Sequence, residues 1–101
     1  MKQLFPESWV LLEISSIEQG KIRKIFAGWY GGYCGSDEWK LSSGNLPEYT
    51  ENEYIVFPQE SGALYYCHPK SQGMSGFMAQ KLAYFRSKLP EGAAIEIIEY
   101  K

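Results

Sequence analysis

From Trp9 to Ile14 the chain alternates Val10, Leu12 and Ile14 with Trp9, Leu11 and Glu13. One row is wholly apolar and the other nearly so, which predicts a strand buried on one face and partly covered on the other. Ser15 to Gly20 supplies a turn. The next run, Ile22 to Tyr30, sets Arg23, Ile25, Ala27 and Trp29 on one face and Ile22, Lys24, Phe26 and Tyr30 on the other, with Gly28 leaving a gap in the second row. These two runs predict a hairpin. Glu38 to Ser42 reads as a short strand, ended by Ser43, Gly44 and Pro47, and the polar stretch "SSGNLPEYTEN" at 42–52 reads as a loop. Tyr54–Phe57 and Ala63–His68, rich in β-branched and aromatic residues and separated by "PQESG", predict a second hairpin.

At Gly73 the period changes. Met74, Met78, Leu82, Phe85 and Leu89 recur at helical spacing, which predicts a helix over about Ser75–Leu89, stopped by Pro90 and Gly92. Arg86 and Lys88 near its end suit the helix dipole. The final "AAIEIIEY" predicts a strand returning to the sheet. The expected architecture is one α+β domain over residues 1–101, in the order βββββαβ. It has one curved, mainly antiparallel sheet of five to six strands, and the helix packs on one face. "GWYGGYCGSDEW" at 28–39 is where that sheet is expected to bend, because Gly31 and Gly32 lie side by side and strand glycines mark bends or close approaches.

Composition adds one feature. Aromatic residues make up 16% of the chain, more than a core of this size ordinarily uses, so an exposed aromatic surface is expected. The candidate ligand or interface residues are Trp29, Tyr30, Tyr33 and Trp39 around the bend, with Tyr54, Tyr65 and Tyr66 of the second hairpin opposite. A net charge of −2 lacks the basic excess that phosphate-backbone binding needs, so nucleic acid is not an expected partner. Without an apolar run long enough for a signal peptide or a membrane span, a cytoplasmic protein with no membrane partner is expected, its Cys34 and Cys67 reduced.

Catalytic candidates are few. Cys34 and His68, with Asp37 or Glu38 as orienter, form the alternative to a binding module: a small hydrolase or transferase. Cys67 is adjacent to His68, so on a strand the two point to opposite faces. Two cysteines and one histidine fall short of a structural zinc centre, and "HPKSQGMSG" lacks the P-loop spacing, its Ser71 or Ser75 serving more simply as an N-cap. Carboxylates such as Glu48, Glu51, Glu53 and Glu60 lie in polar stretches where solvated charge is the ordinary state. No cofactor or metal is expected. "WYGGYCGSDEWKLSSG" and "SGALYYCHPKSQGMSGF" together resemble the small bacterial proteins carried on mobile gene cassettes such as those of integrons. That resemblance implies a free-standing, cytoplasmic α+β protein, often dimeric, and transfers no catalytic residue. The sequence thus points to a non-enzymatic module that uses aromatic side chains to hold a small apolar or aromatic ligand, or a second copy of itself in a homodimer. A protein partner for the acidic "EYTENEY" loop is the third option.

Overall fold

The computed structural model describes residues 2–30 and 37–100. Eight strands and one helix follow in the order β1 (Gln3–Leu4), β2 (Ser8–Ser16), β3 (Gly20–Trp29), β4 (Glu38–Leu41), β5 (Tyr49–Glu51), β6 (Tyr54–Pro58), β7 (Leu64–Cys67), α1 (Gly76–Ser87) and β8 (Ala94–Ile98). The α+β class, the largely antiparallel pairing and the single helix match the reading of the sequence. The strands, however, divide between two four-stranded sheets, β1-β7-β6-β5 and β4-β3-β2-β8, rather than forming one. The bend expected at Gly31 and Gly32 lies outside the described residues.

Both hairpins form in register. In the first, Ser16 pairs with Gly20 and Ser8 with Gly28, and Gly20 takes a φ of 71°, the left-handed conformation that ends a three-residue hairpin loop. In the second, Pro58 pairs with Leu64 and Ile55 with Cys67. The returning strand β8 pairs antiparallel with β2.

Strand β2 occupies the middle layer, which explains its double apolar row. Trp9 and Leu11 pack with Ile25, Ile55, Phe57 and Tyr65 between the two sheets. Val10 and Leu12 pack with Phe26, Met78, Leu82 and Ile95 under the helix. The helix stripe lands as expected, since Met74, Phe85 and Leu89 border the same cluster as Met78 and Leu82. Ser75 caps α1, its hydroxyl accepting from the Met78 amide at 3.2 Å. The gap left by Gly28 is filled by the helix: a Cβ there would stand 2.5 Å from the Met78 sulfur.

Two elements escape the sequence pattern because they are short. β1 runs parallel to β7, with Leu64 N donating to Lys2 O at 2.9 Å, until Pro6 ends it. β5 pairs with β6 inside the stretch read as a loop. The chain between β4 and β5 crosses from one sheet to the other: Ser42 N and Asn45 N donate to β3 carbonyls, and Leu46 N then donates to Pro58 O of β6. Buried Gln59 holds this crossing, its Oε1 accepting from Gly44 N at 3.0 Å and its Nε2 donating to Asn45 Oδ1 at 2.7 Å.

Candidate functional site

Because β4 ends one sheet and β1 ends the other, each presents a strand edge that is unpaired among the described residues. Between them lies a furrow of about 480 Å³, lined by Lys2, Leu4, Glu7, Trp29, Tyr30 and Lys40 among others. It continues along the crossing segment into a hollow of about 300 Å³ beside Ser42, Ser43, Ser61 and Tyr65, and the two share Lys2, Leu4 and Lys40. The larger part falls within the size range of small-molecule sites.

Each wall has an identifiable support. Trp29 packs against the inter-sheet core, and its indole Nε1–H donates to Phe5 O at 3.0 Å. Tyr30 is held by its own amide, which donates to Glu7 Oε1 at 2.8 Å, and by a hydrogen bond between its hydroxyl and that of Ser8. Lys40 meets the amine of Lys2. That donor-to-donor contact and the like charge hold the Lys40 amine below its ordinary 10.5, burial adds to the effect, and the Glu38 carboxylate opposes it.

The aromatic residues singled out from the sequence do not form one concavity. Trp29, Tyr30 and Trp39 border the furrow and Tyr65 borders its continuation. Trp39 nevertheless turns its ring toward the helix, 5.1 Å from Phe85 and 6.0 Å from Phe26 between centroids. Tyr54 and Tyr66 lie on the far face of the β6–β7 sheet, where Phe5 stacks on Tyr66 at 4.8 Å and Tyr54 meets both edge-on. The cause is strand alternation: Tyr65 and Tyr66 are neighbours and point to opposite faces. Tyr33 lies outside the described residues.

Of the Cys/His alternative, Cys34 lies outside the described residues. His68 is committed to local structure: its Nδ1 accepts from Lys70 N at 3.1 Å, capping the 3₁₀ turn Pro69–Ser71, and its Nε2 stands 3.5 Å from Glu53 Oε2. Its charged neighbour is therefore Glu53, not Asp37 or Glu38. Cys67 is fully buried, and burial pushes its thiol far above the ordinary range, so it is no nucleophile. Among the described residues no group of three His, Cys, Asp or Glu side chains could hold a metal ion, and no helix is long and apolar enough to cross a membrane.

Lys2, Leu4, Glu7 and Lys40 are the furrow residues that sequence reasoning missed. The run Lys2, Gln3, Leu4, Phe5 before Pro6 has no polar-apolar alternation, so no local signal marked them. Another hollow, of about 430 Å³, lies between the β2–β3 turn and the α1–β8 connection, but Ile17, Glu18, Pro90, Glu91 and their neighbours give it neither a ring to stack on nor a cation. The furrow is the better-equipped surface of this three-layer α+β chain. No family model, curated protein or solved structure matches the chain.

Proposed function

We propose that the protein is a non-enzymatic binding module and that the furrow between β1 and β4 is its working surface, receiving a small, flat, largely apolar ligand against Trp29 and Tyr30. The observation that carries this reading is a concave, aromatic-walled gap bounded by two strand edges, with its rings held in place by Glu7, Ser8 and Phe5. Stacked rings contribute about 0.5–1.5 kcal/mol per pair beyond area burial, so a ligand with one or two rings suits it. A cytoplasmic location and kinship with the mobile-cassette proteins belong to the same proposal.

The three indole N–H signals provide the test. Titrating the ¹⁵N-labelled protein with 2-naphthol should shift the Trp29 indole resonance, because that group lines the furrow. The Trp9 indole should stay fixed, since Trp9 is fully buried and donates to His68 O at 2.7 Å. If millimolar naphthol leaves the Trp29 signal in place, the furrow is not a ligand site.

A further inference from the structure

Two amines meet at the centre of the furrow. Lys2 and Lys40 both line its wide part and its continuation, so they stand where the two join. Among the described residues the ion pairs are Arg23–Glu13 and His68–Glu53, and neither includes these amines. Juxtaposed cations without an ion pair repel each other, and an anion seated between them would relieve that repulsion.

The groups around the amines refine the match. In the continuation, Ser42 Oγ already accepts from Ile25 N at 2.8 Å and Ser43 Oγ from Ser61 N at 3.0 Å. Each hydroxyl therefore keeps its proton to donate, which suits an acceptor ligand. Toward the aromatic end, one oxygen of Glu7 accepts from Tyr30 N, and Glu38 lies close enough to Lys40 to oppose the effect of Lys2. These two carboxylates would repel a dianion but leave room for a single negative charge held by two ammonium groups.

We infer that the furrow's ligand is an aromatic monocarboxylate, its carboxylate between Lys2 and Lys40 and its ring against Trp29. This rests on reading the furrow as a binding site. The amines select the charge, the hydroxyls complete its donors, and the rings take the apolar body.

Calorimetric titration with 2-naphthoate, 2-naphthalenemethanol and 2-naphthyl phosphate tests it, using the wild-type chain and the Lys2→Gln/Lys40→Gln double variant. Naphthoate should bind about tenfold more tightly than the alcohol. The double variant should lose that factor for naphthoate, bind the alcohol as before, and melt no lower than the wild type, since both side chains are exposed and their repulsion is removed. Equal binding of acid and alcohol, unchanged by the double substitution, would overturn the anion inference while leaving the binding module intact. Tighter binding of the phosphate would overturn the choice of a monoanion. If none of the three binds, the furrow reading fails and the inference fails with it.

Discussion

Lys40 sits on an exposed strand edge, where a lysine ordinarily keeps its full basicity; its departure is therefore a report on one neighbour. The contact with Lys2 is the main cause, and desolvation adds to it. Replacing Lys2 by Gln should move the Lys40 titration midpoint upward, toward 10.5, as followed by NMR of the lysine side-chain resonances. The linkage has a definite sign. A lysine whose folded pKa is depressed penalises the folded state at pH values below that pKa, and the penalty is relieved as pH rises from the folded value toward the unfolded one. The Lys2→Gln variant should thus be slightly more stable at neutral pH, the gain shrinking as pH approaches 10.5. An unmoved Lys40 midpoint would show that the two amines do not meet, and would remove the basis for an anion between them.

At the scale of elements, α1 packs tightly onto β3 at Gly28. Gly28 leaves room for the Met78 side chain, which is buried and must shift if a Cβ is added. Gly28→Ala should therefore cost about 1–3 kcal/mol of stability in chemical denaturation. In a Met78→Ala background the same substitution should cost much less, because the clash partner is gone. Equal cost in both backgrounds would mean that the strand's backbone, not the helix, demands glycine. This contact also shows how far the sequence was readable. The break in the polar-apolar row at Gly28 and the methionine stripe were each visible, but nothing local says that one fills the other. The hairpins, helix and returning strand were legible because their periods extend over many residues. β1, with Gln3 and Leu4 alone, offers no period, and the stretch holding β5 is dominated by turn residues until Tyr49. Since β1 forms one wall of the furrow, the site was only half legible: its rings stood out as rare residues, whereas Lys2 and Lys40 looked like any surface lysines.

At the scale of the whole molecule, three layers require two cores, and that is where much of the aromatic content goes. Trp9, Phe57 and Tyr100 meet between the sheets, and Phe26, Trp39 and Phe85 meet under the helix. Part of the aromatic content is thus structural, while Trp29, Tyr30 and the exposed part of Trp39 border the furrow. The inter-sheet layer also encloses acids in their neutral form. Burial raises Cys67 above its ordinary 9.0 and, with the Cys67 thiol adding to the effect, raises Tyr65 above its ordinary 10.0. Once pH exceeds 9.0, the unfolded chain ionises Cys67 while the folded chain keeps that proton, so the unfolded state binds fewer protons and stability falls as pH rises. One such group removes at most about 1.4 kcal/mol per pH unit. The denaturation midpoint should hold from pH 7 to 9 and then decline, and Cys67→Val, which keeps the volume and removes the acid, should delay the decline until tyrosine begins to ionise near 10.0. A wild-type midpoint that stays level through pH 10 would mean that water reaches the thiol. The two sheets would then be open where Cys67 lies, and the furrow would be part of a looser gap instead of a site with a closed floor.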